Sequence, residues 1–338
     1  MEKKIKVGVI GTGRIGRLHT EHLAFRLPRA TVTAVSDVNL QAAQKCAHDF
    51  HVPVAVADYR LLLDDPAIEA VVICSSTDTH ASLIAEAAAR GKHIFCEKPI
   101  ALNLAAIDQA LDAVERAGVK LQIGFNRRFD ANYRRVREMI RDGLVGDPHI
   151  LRITSRDPAP PPLAYVKVSG GIFLDMMIHD FDMARFLIGS EVEEVYTVAA
   201  VRIDPAIGQA GDLDTAVVTL KFENGVIGTI DNSRQAVFGY DQRVEVFGSR
   251  GMAATENNTP NRVTFSGAER ISQDLPLRFF MERYIESYIR EMEAFIACVT
   301  EDLAPPVTGI DGKMPVKIGQ AARLSFDLHR PVRLEEIR

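Results

Sequence analysis

The chain has 338 residues, of which 47% are apolar and 25% charged, with a formal net charge of −5. That length exceeds one ordinary hydrophobic core and points to two domains. The acidic balance excludes the clustered basic excess of a nucleic-acid-binding protein. The nearest basic cluster is Arg127, Arg128, Arg134, Arg135, Arg137 and Arg141. It falls mostly on a helical pattern and reads as a solvated face. Cys46, Cys74, Cys96 and Cys298 lack metal-type spacing, and Cys74 and Cys96 sit in apolar runs, so reduced core thiols are expected. A strand pattern begins within a few residues of the N-terminus, which leaves no room for a signal peptide. No apolar run approaches the roughly 20 residues that cross a bilayer. A cytoplasmic protein with no membrane partner is expected.

The first third alternates short apolar runs with helical patterns. Strands are predicted over 6–10, 31–36, 70–74, 93–96 and 120–124, with helices over 14–26, 40–50, 79–90 and 104–117. Strands alternating with crossover helices give a parallel sheet covered on both faces, a Rossmann-type α/β domain over 1–124. Beyond residue 125 the pattern changes. A basic helix over 132–142, a strand over 150–155 and the proline-rich loop Asp157-Pro158-Ala159-Pro160-Pro161-Pro162 lead to a helix over 172–188. Strands follow over 194–203, 215–222, 226–232 and 243–247, and helices over 283–300 and 314–329. Linkers such as Glu223-Asn224-Gly225 fit antiparallel hairpins. The second domain, 125–338, is therefore α+β, with a large, open and mostly antiparallel sheet.

The first strand runs directly into Gly11-Thr12-Gly13-Arg14-Ile15-Gly16. A GxGxxG between a strand and a helix is the context that dinucleotide binding requires. Gly11 makes the tight turn, Gly13 lets the backbone approach a pyrophosphate, and Gly16 allows close helix–strand packing. Arg14 and Ile15 lie inside that loop, at a helix N-terminus suited to phosphate. Asp37 ends the second strand and suits the adenosine ribose hydroxyls, while its charge repels a 2′-phosphate. NAD is favoured over NADP. Ser75, Thr77 and His80 follow the fourth strand pattern and are placed to line the cofactor cleft. His80 reads equally as a packing residue at the helix start.

Glu97-Lys98-Pro99 stands at the end of a strand-like run, at the sheet edge where open α/β folds bind ligands. The proline permits a sharp turn that aims the lysine. Asp175 and His179 are four apart in a helical stretch and share a face, after Gly170-Gly171. Taken alone the pair reads as a surface salt bridge; with the nucleotide loop and Lys98 it reads as a reaction centre. Hydride removal from a secondary alcohol needs a base for the hydroxyl proton and stabilisation of the oxygen. His179 suits the first task, because imidazole titrates near neutrality. Lys98 suits the second, and Asp175 would hold substrate hydroxyls or orient the other two. No third ligand has zinc-type spacing, so no metal is expected.

Together the GxGxxG turn, Glu97-Lys98-Pro99 and Gly170-Gly171 followed by Asp175 and His179 resemble the Gfo/Idh/MocA oxidoreductases over essentially the whole chain. Gly124-Phe125-Asn126-Arg127-Arg128-Phe129-Asp130, Ser155-Arg156-Asp157-Pro158 and Asp175-Met176-Met177-Ile178-His179-Asp180-Phe181-Asp182 look most similar to the inositol dehydrogenases within that family. The resemblance implies NAD-dependent oxidation of the axial hydroxyl of myo-inositol to 2-keto-myo-inositol, with Lys98, Asp175 and His179 as the catalytic set. It places Glu97 with the cofactor residues, and Arg128, Asp157, Tyr240 and Tyr284 on the polyol. It implies a homotetramer built through the second domain's sheet. A scyllo-inositol or aldose dehydrogenase with the same catalytic set is the alternative enzyme, and a non-catalytic dinucleotide sensor the alternative of another class.

Overall fold

The computed structural model describes residues 4–338. The N-terminal sheet has strands β1 (Ile5–Ile10), β2 (Ala30–Ser36), β3 (Val54–Val56), β4 (Ala70–Ile73), β5 (His93–Glu97) and β6 (Leu121–Gly124). Their order is β3-β2-β1-β4-β5-β6, and every pairing is parallel. That is the dinucleotide-binding order, with its switch point between β1 and β4. The helices are α1 (Arg14–Phe25), α2 (Leu40–Phe50), α3 (Arg60–Asp64), α4 (Thr77–Ala89) and α5 (Leu104–Ala117). Asn39 and Asn103 cap α2 and α5 by accepting backbone N–H bonds, which fixes where each helix starts.

The later helices are α6 (Ala131–Arg141), α7 (Leu163–Val166), α8 (Ile178–Ile188), α9 (Pro205–Gln209), α10 (Phe280–Thr300) and α11 (Gly309–Leu328). The later strands are β7 (Pro148–Arg156), β8 (Val192–Ala200), β9 (Thr215–Phe222), β10 (Ile227–Ser233), β11 (Asp241–Gly248), β12 (Met252–Thr255), β13 (Thr264–Ser266), β14 (Ile271–Gln273) and β15 (Val332–Arg333). Seven of them form one sheet in the order β12-β11-β7-β10-β9-β8-β15, antiparallel except where β10 meets β7. The hairpin predicted at Glu223-Asn224-Gly225 joins β9 to β10. One face of this sheet is core, with Leu151, Ile153, Val218, Leu220, Ile230, Val244 and Val246 buried. The opposite face carries exposed apolar side chains. Ile227, Ile150, Phe247 and Met252 are cross-strand partners that run as a row from β10 to β12. Tyr196, Val198 and Val217 add to that face on β8 and β9.

The chain folds as two compact units, and they correct the contiguous second domain expected over 125–338. The first unit takes the residues up to Asn126 together with Glu286–Val316; the second takes Arg127–Ile285 and Lys317–Arg338. The physical reason is the apolar face of α10. Ile289, Met292, Phe295 and Ile296 join Val7, Val9, Val72 and Phe95 in one core cluster. The Gln122 side chain of β6 also donates to the Glu291 carbonyl at 2.8 Å.

The predicted helix over 172–188 is also corrected. Gly170 and Gly171 both have positive φ, and a wide π-type turn over Ile172–Met176 precedes α8. Such turns recur at functional sites, and this one carries Asp175. Among the described residues no helix is long and apolar enough to cross a membrane.

Candidate active site

In the first unit the glycine loop has the geometry its sequence demands. Gly11 has φ +91°, and a Cβ there would meet the Cys74 carbonyl and the Ser75 nitrogen at 2.6 Å. A Cβ on Gly16 would collide with the Gly11 carbonyl oxygen, so helix and strand pack too closely for any side chain. Gly13 differs, since a Cβ there meets nothing within 4 Å. It opens α1 with no side-chain cap. The first helical N–H groups, with exposed Arg14 and half-buried Ile15, therefore face open space suited to a pyrophosphate. Asp37 lies beside this loop. Its Oδ2 accepts from Thr12 N at 2.8 Å and Thr12 Oγ1 at 3.0 Å, and its Oδ1 accepts from Asn39 N at 2.9 Å. A carboxylate offers about four acceptor positions, which leaves capacity for a ribose hydroxyl. These residues fit a bound dinucleotide.

Ser75 and Thr77 flank the N-terminus of α4, and Ser75 Oγ bonds Thr79 Oγ1 at 2.6 Å. His80, expected to line the cofactor cleft or to pack at the helix start, has both ring nitrogens at backbone carbonyls. It is buried, with Nδ1 2.8 Å from the Pro99 carbonyl and Nε2 3.0 Å from the Ser75 carbonyl. The ring ties the end of β4 to the Lys98–Pro99 turn, whose peptide bond is cis. Glu97, expected among the cofactor residues, turns its carboxylate to His19 at 2.7 Å and lies against Gly124. Lys98 is half-buried at the end of β5.

In the second unit, Asp175 sits in the π-type turn with its oxygens held from two sides. Tyr165 OH donates to Oδ1 at 2.9 Å, and Arg234 Nη1 to Oδ2 at 3.4 Å. Arg234 is 1% exposed and also donates to Asp212 Oδ2 at 3.2 Å. Asp212 Oδ1 accepts from Ile172 N at 2.9 Å, so one carboxylate fixes both the start of the turn and the arginine that holds Asp175. His179 follows on the first turn of α8, half-buried.

Arg128, expected on the polyol, is turned to Asp182. Its guanidinium grips Asp182 in a two-pronged pair, with Nε–Oδ2 at 2.9 Å and Nη2–Oδ1 at 2.6 Å. Its neighbour Arg127 takes the position beside the tyrosines, donating to Asp180 Oδ1 at 2.7 Å and to Tyr240 OH at 3.3 Å. The tight turn Asn126–Phe129 sends consecutive side chains in different directions. Both arginines are buried, so the solvated basic face is also corrected at these two positions.

Asn232 Nδ2 donates to Asp180 Oδ2 at 3.0 Å, which completes that buried pair. The Tyr240 and Tyr284 rings meet edge to face at 6.0 Å, both buried. Burial pushes the Asp157 carboxyl up to about 6, against the pull of Arg127 and Arg234 and with repulsion from Asp175 and Asp180. Those four charged groups therefore lie near it. Asp157, Asp175, Tyr240 and Tyr284 belong to one polar cluster, and Arg127, Tyr165, Arg234 and Asp212 are members the sequence reading missed. Tyr165 stands ten residues from Asp175, and the partners of the other three lie 22 to 113 residues away, beyond any local pattern.

Gly13→Ala is expected to leave the melting temperature within about 2 °C, because the site is open and φ is −65°. It is expected to weaken NADH binding roughly tenfold by crowding the pyrophosphate. Gly16→Ala is expected to destabilise the fold itself. Fluorescence titration with NADH and thermal melts check both, and equal loss of stability in the two variants would contradict the assignment.

Two family models match the chain: an oxidoreductase family with an NAD-binding Rossmann fold over residues 5–125, and the Gfo/Idh/MocA C-terminal domain over residues 133–254. The chain is 48% identical to the myo-inositol 2-dehydrogenase of Thermotoga maritima over 333 residues, covering 98% of this chain and 99% of that one. It is 36% identical to the NAD(+)-dependent scyllo-inositol 2-dehydrogenase of Bacillus subtilis, over 99% of this chain and 98% of that one. It also resembles the crystal structure of a myo-inositol dehydrogenase from Lactobacillus casei in complex with NAD(H) and myo-inositol. That match has a TM-score of 0.88 at 28% identity, over 98% of this chain and 96% of that one. With a Rossmann sheet that carries its glycine loop and a mostly antiparallel sheet beyond it, the chain belongs to the Gfo/Idh/MocA family of NAD-binding oxidoreductases.

Proposed function

We propose that this oxidoreductase removes hydride from the axial carbinol of myo-inositol, giving 2-keto-myo-inositol. The carrying observation is the polar cluster of the second unit, where half-buried Asp157 and Asp175 stand with buried Arg127 and Tyr240. A cyclitol bears a hydroxyl on every carbon, so it suits a site dense in donors and acceptors. Such a site rejects analogues that leave its buried groups unpaired. The 48% identity to a myo-inositol 2-dehydrogenase supports the choice of isomer.

Bound NAD supplies the hydride acceptor. Gly13 and the α1 N-terminus would seat its pyrophosphate, in the turn that Gly11 and Gly16 make possible, and Asp37 would take the ribose. His179 accepts the hydroxyl proton as the carbon is oxidised. The Lys98 ammonium stabilises the oxygen while negative charge develops on it. Asp175, held by Arg234 and Tyr165, accepts hydrogen bonds from substrate hydroxyls and keeps the ring in register.

The exposed apolar row Ile227–Ile150–Phe247–Met252 supports a homotetramer assembled through the second unit's sheet. Contiguous apolar surface of this kind marks an interface between chains. Sedimentation equilibrium is expected to give four chains, and Ile227→Lys combined with Phe247→Lys to give smaller species. A monomeric unmutated protein would contradict the assembly. The unpaired cysteines suit the reducing cytoplasm, where we place the protein.

Steady-state rates with NAD on myo-inositol, scyllo-inositol and glucose test the reaction. The highest kcat/KM is expected with myo-inositol, and NADP is expected to work at least about a hundredfold less well, given Asp37. Lys98→Met and His179→Asn are each expected to lower kcat by roughly 10²–10⁴. Preference for scyllo-inositol, the substrate named for the 36% identical relative, would replace the substrate assignment. Full activity in either variant would overturn the residue roles.

A further inference from the structure

The first unit buries a cluster of ionisable side chains that hydride transfer does not use. His19, on α1, points Nε2 at Glu97 Oε1 at 2.7 Å. Glu291 Oε1, on α10, lies 4.0 Å from the same nitrogen. His19 and Glu291 are both 0% exposed. Neither Glu291 oxygen has a hydrogen-bond partner, nor does His19 Nδ1.

A carboxylate ion in that position would bear a desolvation cost with no bond to offset it. The groups facing Glu291 include no lysine or arginine. They are His19 from α1, Glu97 from β5 and Cys74 from β4, while Tyr288 of its own helix packs edge-on against His19. Gln122 of β6 bonds only the Glu291 backbone carbonyl. Burial, with the negative charge of Glu97, raises the Glu291 carboxyl well above its ordinary range.

A metal ion fits less well. The three ligand atoms lie within 4.8 Å of one another, but the 2.7 Å His19–Glu97 contact is a hydrogen-bond distance. Two atoms on one ion, each bonded at about 2.1 Å, stand roughly 3 Å or more apart.

We propose that Glu291 is held as a neutral acid behind the His19–Glu97 pair, and that His19 and Glu291 are positioning residues for Lys98. His19 donates from Nε2 to Glu97, the tautomer that leaves a lone pair on the unpartnered Nδ1. Gly124 leaves Glu97 just enough room, since a Cβ there would meet the carboxylate at 3.1 Å. Glu97 is thereby clamped between α1 and β6, and Lys98 is the next residue. The helix that opens the cofactor loop and the strand end that presents the lysine become one mechanical piece. Glu291, kept uncharged, backs the pair without competing for the His19 proton.

The role given to Lys98 rests on the function proposed above; the state of Glu291 does not, so two measurements keep them separate. The folded protein binds the Glu291 proton more tightly than the unfolded chain does. Its stabilising contribution is therefore complete below the ordinary glutamate pKa and is lost progressively as pH rises above it. Glu291→Gln does not titrate. Its melting temperature is expected to gain on the unmutated protein steadily from about pH 5 to pH 8. A gap that stays flat with pH, or a melting temperature lowered by a chelator, overturns the neutral acid.

For positioning, His19→Phe keeps a ring and removes the donor. It is expected to lower kcat with polyol at least tenfold while the NADH Kd stays within threefold. His19→Gln, which restores a donor, is expected to recover most of the loss. If His19→Phe lowers only the melting temperature and leaves kcat intact, the positioning role is wrong. If the unmutated protein reduces no NAD with any polyol, the proposed function fails, and the pH dependence of Glu291→Gln still decides the buried acid.

Discussion

A close backbone approach governs the rest of the cofactor domain. Gly16 of α1 lies so near the Gly11 carbonyl that no side chain fits between them. That contact sets α1 against β1 and aims its uncapped N-terminus at open space. The same helix carries His19 to Glu97 at the end of β5. Strand β4 feeds the other side of the arrangement, where His80 bridges the Ser75 and Pro99 carbonyls. Lys98 thus stands between two residues that are each anchored by a buried histidine. Its placement follows from packing several residues away, not from the tripeptide alone.

The second unit solves a different problem, since it must hold many charged groups away from water. Arg127 with Asp180, Arg128 with Asp182, and Arg234 with Asp175 and Asp212 each pair a buried guanidinium with its own carboxylate. Such pairs contribute little net stability, but losing one partner leaves an uncompensated charge. They are better understood as setting geometry. Asp175 has one oxygen facing Tyr165 and the other facing Arg234, so its orientation is fixed before any substrate arrives. The π-type turn that carries it depends on two glycines with positive φ and on Asp212 receiving the Ile172 N–H.

Much of this is legible in the sequence wherever the signal is local. GxGxxG between strand and helix, Asp37 at a strand end and the alternation of strands with helices identify the parallel sheet. Asn-Gly after β9 marks its hairpin. Signals that depend on distant partners are lost. The sequence shows Arg127 and Arg128 side by side, and only the fold shows that one reaches Asp180 and Tyr240 while the other grips Asp182. His80 reads equally as a cleft or a packing residue in the sequence, and only the fold shows both its nitrogens facing backbone carbonyls. The return of Glu286–Val316 to the first unit is hidden for the same reason. An amphipathic helix announces that it has a buried face, but not which core receives it.

The central claim is that hydride leaves the axial carbinol carbon of myo-inositol for NAD. Incubating the protein with NAD and myo-inositol deuterated at that carbon, then weighing the reduced cofactor by mass spectrometry, tests it most directly. The account predicts cofactor carrying one deuterium per ketone formed. Unlabelled reduced cofactor, or none at all, would contradict it.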